Sequence, residues 1–480
     1  MTDNKSRKQR MLLTKLCILS RENASHPETI VEQNPSFYTW AEILEVFYMG
    51  TLTLASLITL ELFFLVWSIR TRDDHRKERG IVRISTLVLF GLLLATGVYV
   101  WSFRYTMLLC MLVIQAVTGA VILVRKREAP YRTRNTILRF IRNCIIIFFA
   151  LLPAIILPQY EQPIPTGTYE VATAKFTWTD PSRIDDFADS DEYRALTVEF
   201  WYPDSTSEKH PLVVFSHGAF GFSGSNYSTF MELASQGYVV ASIGHTHQAF
   251  YTLDTHGNLT TVDTAFIKKA VEINSTNDTE HEQDIFNTTR EWMKLRIDDE
   301  NFVLDTILAE CQKKSADTPF SHINTDKIGL FGHSLGGASS AQIGRERSDI
   351  DAVIVLDGTM LGEQIAFENN AVVLNDVPYP IPLLNVYAQD HYTNSKELVG
   401  DTYSNFHATQ NALEAYETVF GDSGHLNFTD LPLFSPLLAN LLGIGTVDTR
   451  YCIETMNTVV LEFFNCFLQD AGEPTIAKEY

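Results

Sequence analysis

Four apolar stretches crowd the first third of this 480-residue chain and limit its architecture more than any other feature. Val46–Ile69, Ile84–Phe103 and Thr106–Val124 each approach the roughly 20 residues that a helix needs to cross about 30 Å of hydrocarbon. Asn143–Pro158 is shorter and contains Pro153, but Arg139 and Arg142 at its start can extend toward an interface. Backbone in hydrocarbon must satisfy its own polar groups, so such stretches joined by short connectors predict a module of four transmembrane helices over 46–158. Residues 1–45 form a tail before it, and 159–480 remain for a second domain. Met11–Ser20 is too short, and is interrupted by Lys15, to read as a cleavable leader.

Lys and Arg in short loops orient such a module. The first loop holds Arg70, Arg72, Arg76, Lys77, Arg79 and Arg83, and the third holds Arg125, Lys126, Arg127, Arg132, Arg134, Arg139 and Arg142. The second offers little beyond Arg104. Loops one and three are therefore expected in the cytoplasm, with everything after Pro158 outside. The tail resists this order, because Lys5, Arg7, Lys8, Arg10, Lys15 and Arg21 make it basic as well. Inside the first stretch Glu61 is costly, and it reads as an uncharged carboxyl packed between helices.

Charge divides the chain in the same place. Residues 1–158 carry 20 Lys+Arg and 11 Asp+Glu, whereas 159–480 carry 17 and 47, giving +9 and −30. The acidic part excludes a nucleic-acid binder, since it would repel phosphate. With 30 Phe and 19 Tyr the chain is too aromatic to be disordered. Its six cysteines form no CxxC or Cys/His cluster, which excludes a disulfide scaffold and argues against structural zinc. Cys452 and Cys466 fall about four turns apart on one predicted helix and cannot pair with each other.

After a Pro-rich connector, PQYEQPIP, Tyr169–Trp178 and Leu196–Tyr202 read as an antiparallel pair. Short apolar runs then alternate with helical patterns. The expected strands are Pro211–Ser216, Tyr238–Ile243, Lys327–Gly332, Asp351–Leu356, Ile381–Tyr387 and Tyr416–Val419, and Ser225–Ser235 and Phe286–Lys313 are the clearest helices. Val- and Ile-rich strands alternating with helices mean a mostly parallel sheet covered on both faces, the α/β class. Polar Thr252–Gln283 stands out as an insertion, read as a surface loop or a lid. Sequons at Asn226, Asn258, Asn274, Asn277 and Asn287 cluster in this outer part.

Residues 327–343, KIGLFGHSLGGASSAQI, contain Gly332-His333-Ser334-Leu335-Gly336 between a strand-like run and a helix-like one. That is the strand–turn–helix of a nucleophile elbow, with Ser334 exposed on a strained turn and the Leu335 N–H at a helix start. A serine needs a base oriented by a carboxylate, and the expected chain order is Ser, acid, His. Asp357 ends the next strand and is preferred to Asp390, which ends the one after. His425, in FGDSGHLNFTD, is preferred to His391 and His407 as the base. The loop Ser216-His217-Gly218-Ala219 can supply a second oxyanion donor at the Ala219 N–H, with His217 bracing it. His245 and His247 are candidates to line the pocket rather than to bind metal. No cofactor or metal is required.

From Pro165 to Leu468 the chain resembles the platelet-activating factor acetylhydrolase family of the α/β-hydrolase superfamily. The matching pieces are PTGTYEV, EFWYPD, VVFSHGAFG, LASQGYVVASIGH, GLFGHSLGGAS, VLDGTM and GHLNFTD, in the family's order. The resemblance implies an α/β-hydrolase fold with Ser334 as nucleophile, Asp357 as acid and His425 as base. It also implies Ala219 and Leu335 as oxyanion donors, and ester hydrolysis with short-acyl phospholipids among the substrates. The chain departs from the secreted animal members in its N-terminal helices, as a membrane-anchored microbial type would. It departs again in the 252–283 insertion.

Overall fold

The computed structural model describes residues 40–480 except 126–129, 189–190, 205–207, 276–281 and 314–318, with side chains from Met49 onward except 274 and 275. The expected tail lies outside the described residues as far as residue 39. Phe47–Tyr480 form one compact unit.

Four helices open the described chain: α1 (Trp40–Thr71), α2 (Arg76–Ala95), α3 (Thr106–Arg125) and α4 (Thr133–Ile156). Among the described residues, three segments are long and apolar enough to cross a membrane: Met49–Thr71, Phe103–Arg125 and Thr133–Ile156. The second apolar stretch differs from expectation. Its helix stops at Ala95, eight residues before Phe103, and the chain turns through Gly97 at φ 77°. Arg76, Lys77, Glu78, Arg79 and Arg83 occupy its start, so its uncharged apolar run narrows to Ile84–Ala95 and it is not among these three. The fourth stretch, by contrast, belongs to a helix that begins ten residues earlier, at Thr133.

Glu61 packs between helices as expected, and Arg79 on the next helix is among its partners. It accepts a hydrogen bond from Asn143 Nδ2 (3.0 Å) and pairs with Arg79 Nη1 (3.4 Å), which also reaches Ser68 Oγ (3.4 Å) from its Nη2. The guanidinium on the next helix compensates the carboxylate, as burial of a charge requires. Helices α2 and α3 meet at Gly80 and Gly119, where a Cβ on Gly119 would lie 2.6 Å from the Gly80 carbonyl oxygen. Small residues allow such close approach between apolar helices.

The connector is held from both sides. Gln159 Oε1 accepts from the Val100 N–H (3.1 Å), Arg450 Nη2 donates to the Glu161 carbonyl (3.0 Å), and Ser435 Oγ donates to the Ile156 carbonyl (2.5 Å).

Beyond it come β1 (Val171–Ile184), β2 (Tyr193–Pro203), β3 (His210–Ser216), α5 (Tyr227–Ser235) and β4 (Val239–Gly244). The insertion follows as a hairpin, β5 (Tyr251–Leu253) and β6 (Leu259–Thr261), then α6 (Thr264–Ser275) and the long α7 (Glu282–Cys311). Next are β7 (Ile323–His333), α8 (Leu335–Glu346) and β8 (Ala352–Leu356), then a small hairpin of β9 (Gln364–Glu368) and β10 (Ala371–Leu374). The chain ends with β11 (Leu383–Ala388), α9 (Gln389–Leu398), α10 (Ser404–Asn411), β12 (Ala415–Phe420), α11 (Leu431–Phe434), α12 (Pro436–Leu442) and α13 (Thr449–Gln469).

The main sheet has eight strands in the order β1-β2-β4-β3-β7-β8-β11-β12. Its β1–β2 and β2–β4 pairs are antiparallel and the other five are parallel. Strands β3, β4, β8 and β11 are buried throughout, which is why they read as unbroken apolar runs rather than alternating ones. Residues of α7 and α8 pack on one face, around Leu212, Leu330 and Val353. Those of α5 and α13 pack on the other, around Phe215, Phe331 and Ile354. The chain's end covers the β12 edge through a Val419–Glu479 bridge. Asn226 carries the first of the five sequons named above, but it is fully buried with its amide bonded to the Phe428 carbonyl, so it is closed to glycosylation.

Replacing Gly119 by Leu forces α2 and α3 apart. Overpacking of this kind costs about 1–3 kcal/mol. A lowered thermal midpoint of the full chain in detergent is the expected result.

Candidate active site

Strand β7 runs out at His333 and α8 starts at Leu335, so Ser334 alone makes the turn. It does so at φ 55° and ψ −124°, a region that non-glycine residues avoid. The neighbouring glycines make this possible. A Cβ at Gly332 would overlap Gly336, and one at Gly336 would overlap the Ser216 carbonyl. The Ser334 N–H is held by Leu356 O (2.9 Å), and the first N–H groups of α8 have no acceptor within the helix. The β3 loop passes beside the turn, since a Cβ on Gly218 would stand 3.0 Å from Ser334 Cβ. Ala219 and Leu335 meet in one apolar cluster next to Ser334.

Asp357 follows β8, also with positive φ (50°), and its carboxylate is fully buried. Its Oδ2 accepts from His425 Nδ1 (2.6 Å), which leaves Nε2 as the basic nitrogen of His425. Its Oδ1 accepts from the Ala388 N–H (2.7 Å) and from His391 Nδ1 (3.0 Å). Burial pushes this carboxyl upward, but hydrogen bonds from His391 and His425 hold it well below the usual carboxylate range. Asp390 turns elsewhere: it is exposed and accepts from the His391 N–H. His407 bonds to the Asn375 carbonyl and faces Asp376. Asp357, His391 and His425 offer three ligand atoms within 4.8 Å of one another. Those same atoms are already satisfied by hydrogen bonds within the group, so the arrangement reads as a carboxylate shared by two imidazoles.

His333, the variable residue of the pentapeptide, has a role the sequence did not suggest. Its Nε2–H donates to the His425 carbonyl (3.0 Å), and the two rings lie 4.5 Å apart. Burial, with His425 beside it, lowers its pKa to about 3, so the ring stays neutral and acts as a donor.

Beneath the β3 loop lies a buried polar network supplied by α7. Arg296 is fully buried and donates from Nη1 to His217 O (2.6 Å), from Nη2 to Gly218 O (3.5 Å) and from Nε to Gln248 Oε1 (2.6 Å). His217 braces the loop as expected, through Nδ1–H to Gly218 O (2.7 Å). One turn along α7, Asp299 takes both Arg194 Nε (2.6 Å) and Nη2 (2.7 Å). Asp299 also accepts from His245 Nδ1 (3.0 Å), whose Nε2 meets Ser216 Oγ (2.9 Å). Burial and the nearby Arg296 lower His245 to about 3. His245 therefore anchors the end of β4 instead of lining the pocket, while His247 stacks on Phe187 and faces Asp185. Glu300 accepts from Ser339 of α8, and its burial pushes the carboxyl up to about 7. A polar helix with no motif concealed all three residues. The only signal was Arg296, Asp299 and Glu300 at helical spacing, which elsewhere marks a solvated face.

The described part of the insertion packs against the same apolar cluster. Phe266 of α6 is buried against Phe220 (5.1 Å between centroids) and Trp292 (4.8 Å), in the cluster that contains Leu335 and Ala219.

Charge-assisted bonds such as those of Arg296 contribute about 1.5–3 kcal/mol. Arg296→Met should therefore lower kcat for a short ester about 10- to 100-fold with a smaller change in KM, and Arg296→Lys should recover part of the loss.

A family model described as platelet-activating factor acetylhydrolase, isoform II, matches residues 196–472. The platelet-activating factor acetylhydrolase of Cavia porcellus is 23% identical over 282 residues, 55% of this chain and 59% of that protein. Its counterpart in Canis lupus familiaris is 25% identical over 274 residues, covering 54% and 58%. The chain thus spans just under three fifths of the length of the curated relatives that it matches. A solved ferulic acid esterase from Streptomyces cinnamoneus superposes with a TM-score of 0.50 at 21% identity, covering 66% of this chain and 95% of the esterase, a likeness of fold.

Proposed function

The chain belongs to the platelet-activating factor acetylhydrolase family, and on that premise we propose that it is a membrane-anchored serine esterase acting on short-acyl carboxylic esters. The observation that carries this reading is the strained Ser334 on its elbow, together with a buried Asp357 whose Oδ2 fixes Nδ1 of His425 at 2.6 Å. His425 Nε2 takes the Ser334 proton as the hydroxyl attacks the ester carbonyl. The Ala219 and Leu335 N–H groups hold the oxyanion, and Asp357 stabilises the imidazolium. The proton passes to the leaving alcohol, and water then repeats the steps on the acyl-enzyme. None of these steps calls for a cofactor.

Phospholipids with a short or oxidised acyl chain are the proposed physiological substrates. Phe266, Phe220 and Trp292 share one apolar cluster with the two proposed oxyanion residues, which supports a limit on acyl length set by these rings. The −30 of residues 159–480 favours neutral or zwitterionic head groups over anionic ones. Arginines around the start of α4, the last apolar helix before the catalytic part, support an extracytoplasmic location for that part, with the N-terminal helices as its anchor.

Ser334→Ala should abolish hydrolysis of p-nitrophenyl acetate and labelling by a fluorophosphonate while the protein stays folded. Wild-type turnover in that variant would refute the nucleophile assignment. An impermeant fluorophosphonate applied to intact cells tests the side of the membrane in the same experiment. In Phe266→Ala, kcat/KM for a p-nitrophenyl octanoate relative to the acetate should rise at least about tenfold, since each buried CH₂ is worth about 0.8 kcal/mol. An unchanged ratio would mean that the insertion does not limit acyl length.

A further inference from the structure

The proposed triad carboxylate serves two imidazoles, and only one of them belongs to the triad. His391 lies in the first turn of α9 and directs Nδ1 at Asp357 Oδ1 (3.0 Å), while His425 holds Oδ2 (2.6 Å). The two rings are 6.5 Å apart with planes at 76°. On its far side, His391 Nε2 meets the Tyr403 hydroxyl (3.1 Å), which meets Thr359 Oγ1 (3.1 Å). This relay accommodates both charge states. A neutral His391 accepts the Tyr403 O–H at Nε2. A protonated one donates Nε2–H to the Tyr403 oxygen, and the phenol turns its hydrogen to Thr359. No donor or acceptor is stranded in either state, so a proton can come and go at His391 Nε2 while its Nδ1–H keeps the bond to Asp357.

Taking Ser334, His425 and Asp357 as the triad proposed above, we infer that His391 is a positioning residue that fixes the second oxygen of Asp357 and sets the lower end of the pH range in which His425 acts as base. A positive charge on His391 draws on the same carboxylate that stabilises the His425 imidazolium. The carboxylate is then shared between two cations, and catalysis extends to lower pH. The titratable and charged groups around the His391 ring are Asp357 after β8, His425 after β12, Tyr403 before α10, and Asp390 on its own helix. Burial lowers the basicity of His391, but the bond and charge of Asp357, aided by Asp390, outweigh it and leave the ring more basic than usual. His391 is therefore protonated across the acid side of neutrality, where a shared carboxylate couples it to His425.

The test is the pH dependence of kcat/KM for p-nitrophenyl acetate, using the full chain in detergent. His391→Gln keeps a donor for Asp357 and removes the titration. Its acid limb should move up by about half to one pH unit, with the plateau within a few-fold of wild type. His391→Phe also removes the donor, so it should show the same movement and a lower kcat. Profiles that superimpose on wild type would overturn the inference. So would loss of plateau activity in His391→Gln with activity retained in His425→Gln, which would make His391 the base. Should His391→Gln not fold, judged by its thermal melt, His391→Asn carries the same comparison. Ser334→Ala run in parallel separates the two readings. Wild-type activity there removes the triad itself, whereas an inert Ser334→Ala beside an unshifted limb removes only the role of His391.

Discussion

A guanidinium with no access to solvent must direct its hydrogen bonds to the protein, and Arg296 directs them to the backbone beside Ser334. Its contacts with the His217 and Gly218 carbonyls tie α7 to the loop after β3, while Asp299 and Glu300 from the same helix tie it to β2, the end of β4 and α8. An uncompensated charge in such a place would cost several kcal/mol. The arrangement therefore tolerates little movement among these elements. Because β3, β4 and β7 are neighbours in the sheet, one buried helix face fixes the loop that faces Ser334.

A second constraint lies on the opposite side of Ser334. Asp357 is buried and stays ionised because three donors reach it: Ala388 N–H, His391 and His425. His333 bonds to the backbone of the His425 loop, so His425 is held at both its ring and its carbonyl. Strain at Ser334 and at Asp357, both at positive φ, is offset by this surrounding structure.

The insertion and the N-terminal helices have different structural weight. The insertion folds as a hairpin and a helix that deliver Phe266 to the apolar cluster beside Ser334, so it is part of the site's surroundings rather than a free loop. The N-terminal helices contain their own ion pair, Glu61–Arg79, and touch the rest of the unit through the connector and Ser435. Ser435 sits between α11 and α12, in the segment that follows the His425 loop. The end of α4 is therefore bonded to the chain just beyond the histidine.

The order of apolar runs and the spacing of Gly332, Ser334 and Gly336 decide the α/β class and the position of the elbow, because burial on both faces and a tight turn each demand particular residue types. All eight strands of the main sheet were legible for that reason. The hairpins β5–β6 and β9–β10 were not, since they lie outside the buried core and a short exposed strand leaves no periodicity. Helix ends in the first third were misjudged where hydropathy continued past a turn, at Ala95, or where arginines masked a helix start, at Thr133. Asp357 and His425 follow from chain order, but the choice between Asp357 and Asp390, and between His425 and His391, is one of distance. Only the folded chain shows that Asp357 receives both histidines while Asp390 faces solvent. Likewise, Arg296, Asp299 and Glu300 look like one more charged helix face until tertiary packing buries them, because partners as far as 116 residues away leave no local pattern.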